Sequence, residues 1–317
     1  MTRQRVRPAE DADDERAIRE ISVAYDNLAS WPTRPDFIDH EMATGRVFVA
    51  EGDDGVAGFG GSFDRGDVVY LADLFVRPDA VGRGIGRAVL ERLFDRDCVR
   101  MTSASDDPRA LPLYARFGMV PLMPALYLRG TAEIAAAAGR AAGGADDGVR
   151  PGSPEEIAAI DAQVSGRPRL QEHAFMSSSP GAEGLLLVER REPVAYGWMR
   201  VVTIAPGGSS DSGAKISPVS GAAPETRAYI SPAGARTPEA MVRMTGELLL
   251  RASERVEAEA AAAGAGVADV SLLVLGPHPG LRGMLAAGFR VVDRDTFMCS
   301  RFDLIDGRRY AHSPELG

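Results

Sequence analysis

In the stretch VRPDAVGRGIG, residues 76–86, Gly82, Gly84 and Gly86 alternate just before a run of helical periodicity, Ile85, Val89, Leu90, Leu93 and Phe94. A glycine-rich turn that opens into a helix aims successive backbone N–H groups at one point, with the positive end of the helix dipole behind them, and that arrangement holds phosphate. The glycines let an anion approach the main chain with no Cβ in the way, and Arg83 and Arg87 supply charge for a pyrophosphate. The same residues would also make a plain tight turn, and on the loop alone the two readings weigh equally. Spacing excludes two familiar nucleotide loops. A P-loop ends in Gly-Lys-Ser/Thr, whereas Gly84 is followed by Ile85, Gly86 and Arg87. A dinucleotide fingerprint needs glycine where Arg87 stands, in a first βα turn rather than in mid-domain.

The elements around the loop follow from periodicity. Residues 6–9 read as a short strand, and 13–28 as a helix with Ala17, Ile18, Ile21, Ala24, Tyr25 and Leu28 on one face. Residues 47–63 read as a hairpin turning at Asp54-Gly55, and 68–76 as a buried strand. Residues 132–148 are almost wholly Ala, Gly and Asp, with no large apolar residue after Ile134, and read as a linker. Beyond it, VRPGSPEEIAAI (149–160) echoes VRPAEDADDERAI (6–18), so the second half is expected to repeat the first. Residues 205–225, rich in Gly, Ser and Pro, read as a mobile inserted loop.

Composition narrows the partners. A length of 317 residues suits two domains. The net charge of −9 argues against a nucleic-acid surface. No apolar run is long enough to span a bilayer, LLLV at 185–188 being typical, and the N-terminus lacks the apolar core of a secretion signal, so a cytoplasmic protein without membrane contact is expected. The two cysteines, Cys98 and Cys299, are far apart and without histidine partners, which points to buried thiols rather than a disulfide or metal site. His173 and His278 have no companions at metal-ligand spacing and read as surface or satisfied histidines; Met241, Met244 and Met284 read as core.

The segment LFVRPDAVGRGIGRAVLERL resembles the GNAT superfamily of acyl-CoA-dependent N-acyltransferases, whose hallmark is a strand ending in V-x-P, a glycine loop R/Q-x-x-G-x-G/A, and a helix. Val81 stands in the Arg/Gln place, which leaves the backbone donors intact. The family's second element, Y-x-x-x-G-F, is similar to DPRALPLYARFGMVPL (107–122), with Met119 in the Phe place, and the resemblance runs from residue 5 to about 129. It implies acetyl-CoA as co-substrate, no metal, and transfer of the acetyl group by direct attack of a primary amine of a small molecule or peptide. It also implies that the main chain at Leu74, Phe75 and Val76 pairs with the pantetheine arm, one amide polarising the thioester carbonyl, while Val81, Gly82, Arg83, Gly84, Ile85, Gly86 and Arg87 hold the diphosphate. Tyr114 falls at the general-acid position, where it would assist the departing thiolate. Asp107 replaces an asparagine that touches the pantetheine; a carboxylate cannot donate that bond, and a helix cap is the other reading. Asp73 is the nearest carboxylate by sequence and a candidate catalytic residue, but the identity of the base is left open. Asp39, His40 and Glu41, from the segment that covers the acceptor pocket in the family, are expected as solvated side chains.

The expectation is an α/β protein of two tandem GNAT folds of actinobacterial type, each a mixed, mainly antiparallel sheet flanked by helices, as a monomer or homodimer. Residues 1–130 form the catalytic domain, 131–148 the linker, and 149–317 a degenerate copy that shapes the acceptor site or mediates dimerisation. Aligned through Val76-Arg77-Pro78 and Ile230-Ser231-Pro232, the second copy has Arg236, Pro238 and Ala240 in place of Gly82, Gly84 and Gly86, and Met284 in place of Tyr114. Pro238 has no N–H to offer an anion. A tandem architecture also resembles mycothiol synthase, where the intact motif is expected in the second copy; a non-catalytic acyl-CoA sensor would keep the loop without needing Tyr114.

Overall fold

A computed structural model describes residues 5–25, 27–28, 30–144, 148–204 and 223–317. All but the last three residues of the expected insertion at 205–225 lie outside these. The first half runs β1 (Val6–Pro8), α1 (Ala12–Ala24), α2 (Phe37–Thr44), β2 (Arg46–Gly52), β3 (Gly55–Arg65), β4 (Val68–Val76), α3 (Ile85–Leu93), β5 (Val99–Ala104), α4 (Ala110–Ala115) and β6 (Val120–Thr131). After α5 (Ala132–Ala141) the order recurs: β7 (Val149–Pro151), α6 (Pro154–Ser165), α7 (Leu170–Ser178), β8 (Ala182–Glu189), β9 (Glu192–Ile204), β10 (Glu225–Ala235), α8 (Pro238–Ala263), β11 (Val267–Leu275), α9 (Leu281–Ala287), β12 (Arg290–Cys299) and a short β13 (Tyr310–Ala311). The repeat read from the two VRP segments is therefore structural, and both halves are mixed, mainly antiparallel sheets with helices against them.

The halves do not close separately. All the strands form one sheet in the order β1-β2-β3-β4-β5-β12-β6-β11-β10-β9-β8-β7, with β13 beside β10. The last long strand of each half is exchanged: β12 lies between β5 and β6, and β6 lies between β12 and β11. The β6–β12 pair is antiparallel, Val120 facing Cys299 and Arg129 facing Arg290, the reciprocal pairing that a local two-fold axis requires. One apolar core spans the exchange, joining Ile18, Phe37 and Phe63 to Ile157, Phe175 and Tyr310. A buried ion pair crosses it as well, Arg65 Nε donating to Glu172 Oε1 at 2.7 Å.

Residues 132–141 are a helix rather than a linker. Its small residues are its packing surface: Ala132, Ala135, Ala138 and Gly139 are buried, and a Cβ at Gly139 would stand 2.7 Å from the carbonyl oxygen of Gly246 on α8. The two backbones approach because neither carries a side chain at the crossing, so the helix is anchored by small residues and needs no large apolar one. Helix α1 ends four residues earlier than periodicity suggested, Cys299 is buried as expected, and Cys98 is half-buried.

Candidate active site

Strands β4 and β5 run parallel and pair only at Val68, Val69 and Tyr70 with Val99, Arg100 and Met101. Beyond Tyr70 they part, leaving the second edge of β4 open. Arg77 N donates to Ala57 O at 2.9 Å and Val76 faces Gly58; by the alternation of an antiparallel ladder, Phe75 turns its N–H and C=O to β3 while Leu74 and Val76 turn theirs to the open edge. Of these three residues, Leu74 and Val76 turn main-chain groups to the open edge and Phe75 turns its own to β3. The Val76 carbonyl is met by the Tyr25 hydroxyl at 2.7 Å.

The glycine loop lies at the end of this open edge. Gly82 and Gly84 have φ of 83° and 82°, a region that favours glycine, and a Cβ at either would meet nothing within 4 Å. Gly84 is the N-cap of α3 and has no side chain to satisfy the helix; the first main-chain bond into the helix is Ala88 N to Gly84 O. The N–H groups of Gly84, Ile85, Gly86 and Arg87 therefore face outward. Arg83 donates to the Asp79 carbonyl and Arg87 pairs with Glu91, both at the surface beside the loop. Val81 is half-buried and adds no charge. These donors suit the diphosphate of a coenzyme A molecule, and the open edge of β4 suits its amide-bearing arm. Asp107 does not reach the edge as a donor: its carboxylate accepts from Arg109 N at 2.8 Å and pairs with that guanidinium.

Tyr114 and Asp73 line one cavity of about 320 Å³ that begins in the gap between β4 and β5 and runs into the second half. Tyr114 is 7 % exposed; burial, with Asp295, Asp73 and Asp107 adding, holds its hydroxyl well above the usual range. Asp73 is 2 % exposed, and burial lifts its carboxyl to about 7, opposed by the 3.1 Å hydrogen bond from Asn27 and aided by Glu315. Glu41 and His40 are buried, not solvated. The Glu41 carboxyl packs on the Cα of Gly61, where a Cβ would run into it, and Gly61 faces Asp73 across the β3–β4 ladder. Burial and the Asp73 charge hold Glu41 well above the carboxylate range. His40 stacks on Phe175 of α7 with ring centroids 4.5 Å apart, and Asp39 is tied up with Arg19 and Arg34.

Much of the cavity wall is residues that periodicity could not connect to the loop. Asn27, Ser30 and Trp31 come from the segment after α1, Arg200 and Tyr229 from β9 and β10, Tyr127 and Asp295 from the exchanged strands, and Glu315 from the segment after β13. Tyr127 donates to Asp295 at 2.8 Å, and burial lifts that carboxyl to about 6. Tyr70 holds the 313–315 segment through the Pro314 carbonyl.

The second half lacks both features. Strands β10 and β11 stay paired from Glu225–Val267 to Ile230–Leu272, and β13 then covers the edge of β10 at Ala233 and Gly234. Register also corrects the alignment of the copies. Ala235 faces Ala195, three residues into β9, as Val76 faces Gly58, three residues into β3. Ala235, not Ile230, is therefore the counterpart of Val76. Helix α8 starts at Pro238 behind the cap Thr237, so the glycine loop is deleted rather than substituted. The pairing of Met284 with Tyr114 stands: each carbonyl accepts from the residue after a positive-φ glycine, Phe289 N and Met119 N respectively. His173 and His278 are buried and hydrogen-bonded, to Asp161 at 3.1 Å and Thr245 at 3.2 Å, and Met241, Met244 and Met284 are core.

A mixed sheet opened between two parallel strands, with a glycine loop and helix N-terminus at the opening, offers a place for a ligand that carries phosphate and an extended amide arm. Residues 15–119, all within the first half, match the Acetyltransferase (GNAT) family. No curated protein matches the chain. Among solved structures, a Pyrococcus horikoshii protein named as a candidate acetyltransferase aligns at a TM-score of 0.65 and 16% identity, over 100% of this chain and 97% of its own. A tandem GNAT protein from the clavulanic acid biosynthesis pathway aligns at 0.55 and 15%, over 93% and 98%. A GCN5-related N-acetyltransferase from Anabaena variabilis aligns at 0.55 and 9%, over 93% and 72%. At these identities the likeness is one of fold, and it extends across both halves. Among the described residues no helix is long and apolar enough to cross a membrane, and no group of three or more His, Cys, Asp or Glu is arranged to hold a metal.

Proposed function

We propose that the first half transfers an acetyl group from acetyl-CoA to a primary amine of a small molecule held in the cavity between the halves. The observation that carries this reading is the single opening in the described sheet: β4 and β5 part in the first half, with Leu74 and Val76 facing the gap and Tyr114 and Asp73 at its inner end, while the corresponding edge of the second half is covered by β13. Acetyl-CoA supplies the activated acyl thioester. The loop N–H groups from Gly82 to Arg87 hold its diphosphate, and an open amide of β4 stabilises the negative charge that develops on the thioester oxygen. Asp73, with a carboxyl near 7, takes a proton from the attacking amine. Tyr114 keeps its proton at neutral pH and donates a hydrogen bond to the departing sulfur; a phenol held above a thiol of pKa ~8.5 stabilises that thiolate without surrendering its proton to it.

The test is thiol release from acetyl-CoA with an amine panel, for the wild type and Tyr114→Phe. Unchanged acetyl-CoA affinity with turnover reduced by about 10- to 100-fold supports the assigned role, on the scale of one positioned proton-handling group. A wild-type protein that binds acetyl-CoA and acetylates no amine would make it a sensor instead.

A further inference from the structure

We infer that the acceptor is an amine that also carries a free carboxylate, and that the buried guanidinium of Arg200 reads that carboxylate. The inference rests on the proposed acetyl transfer and adds the substrate class.

Arg200 projects from β9 into the cavity that holds Asp73 and Tyr114, and the residue is only 6 % exposed. Its guanidinium lies 3.8 Å from the Trp31 ring centroid, with Tyr229 at 5.8 Å. One Nη donates to the Ser30 carbonyl at 2.6 Å. A guanidinium has five N–H donors, and stacking occupies its face rather than its edge. The acid that acts on it from nearest by, Glu315, is not within ion-pair distance; its carboxylate accepts instead from Ser30 Oγ at 3.3 Å and Ser313 Oγ at 2.9 Å.

A buried cation without a counter-ion costs several kcal/mol. Three other buried arginines each have one, Arg65 with Glu172, Arg169 with Asp161 and, in the wall of this same cavity, Arg227 with Glu225. Arg167 has none, but it packs on Tyr310 away from this cavity. Among the described residues, Arg200 alone combines burial, no carboxylate within ion-pair distance and a place in the cavity wall. Burial draws it down to about 10, so it remains charged at neutral pH.

The other sign of charge is held by the same loop. Asn27 binds Asp73 and Ser30 binds Arg200, and all four line the same cavity. Asp73, Asp295 and Glu315 favour an ammonium, and Arg200 favours an anion in the same cavity of about 320 Å³. A guanidinium edge matches the two oxygens of a carboxylate. The cavity is therefore complementary to a zwitterionic amino acid, α- or longer-spaced, rather than to a simple amine.

The experiment measures acetyl transfer to matched pairs: amino acids from glycine to 6-aminohexanoate together with the proteinogenic set, and the same amines without the carboxylate. The expected wild-type preference in kcat/KM for the best acid over its partner amine is at least about 30-fold, the scale of losing one partner of a buried charge pair. Arg200→Gln is expected to bring that ratio to about 1, and Arg200→Lys to an intermediate value. Binding of the same probes in the presence of CoA is read separately by the fluorescence of Trp31, which lies on the guanidinium. The wild-type comparison needs no variant, and acetyl-CoA affinity reports whether the variants are folded. If amines without a carboxylate are equally good acceptors, the inference falls and the transferase reading stands. If the acids bind through Arg200 with no transfer to any amine, the transferase reading falls and the carboxylate site stands. Neither binding nor transfer with any probe overturns both.

Discussion

Asp73→Asn should destroy activity and stabilise the protein, and the size of the stabilisation follows from where the carboxyl sits. Burial lifts Asp73 from 3.8 to about 7, so between those pH values the folded protein keeps a proton that the unfolded chain has released. Unfolding free energy therefore falls as pH rises through that window and levels off above about 7. At 1.36 kcal/mol per unit, a shift of roughly three units amounts to about 4 kcal/mol of destabilisation at neutral pH. Asparagine keeps an oxygen for the Asn27 side chain and carries no charge, so the variant loses this pH dependence. Urea unfolding at a series of pH values from about 4.5 to 8 should show the variant's advantage over wild type growing from about 1 kcal/mol at the acid end to about 4 kcal/mol at pH 8, while kcat/KM falls at least about 100-fold. A variant no more stable at pH 8 than at pH 5, relative to wild type, would refute the reasoning, because the carboxyl would then not be held protonated by the fold. If Glu41→Gln gave the pH-dependent gain instead, the charge of the pair would lie on Glu41.

Other outcomes follow from single contacts. Asn27→Leu removes the hydrogen bond that holds Asp73 down, so the rising limb of the kcat/KM profile should move to higher pH by about one unit, the scale of one bond to a charged group; a downward move would contradict the assignment. Gly61→Ala drives a methyl into the Glu41 carboxyl and should lower stability by about 1–3 kcal/mol, with Gly61→Ala/Glu41→Ala recovering part of it in a double-mutant cycle. Gly139→Leu at the α5–α8 crossing should cost at least as much by thermal unfolding, since the space is backbone. Residues 1–144 and 148–317 produced separately should each fail to show a cooperative monomeric transition, whereas co-expression should restore acetyl-CoA binding, because each fragment lacks the strand that fills its sheet.

The parts of this molecule legible in the sequence are those where local chemistry decides. Gly82 and Gly84 announce a positive-φ loop, and the hairpin at Asp54-Gly55, the β4 strand and the Tyr114 helix follow from short patterns. The repeat was visible in VRP followed by an acidic helix start. Patterns failed where partners are remote. Residues 132–141 looked like a linker because a close helix crossing needs small residues, the same composition that loops use. Glu41 looked solvated because nothing local reveals that Gly61 makes room for it. Arg200 and Glu315 carry no motif at all, and their place in the cavity wall comes only from β9 and the segment after β13 meeting the first half. The copy alignment through Ile230 slipped because a proline after an apolar run resembles Val76-Arg77-Pro78, whereas ladder register places Ala235 there.

Strand β12 also sets the order in which the protein can become active during synthesis. While the ribosome is still making the second half, β5 exposes a row of unsatisfied N–H and C=O groups to any passing extended segment, and the acceptor chamber has no far wall. The sheet closes only once β12 has been made, so a chain stalled or truncated before it would present an adhesive border, and such products should depend strongly on chaperones.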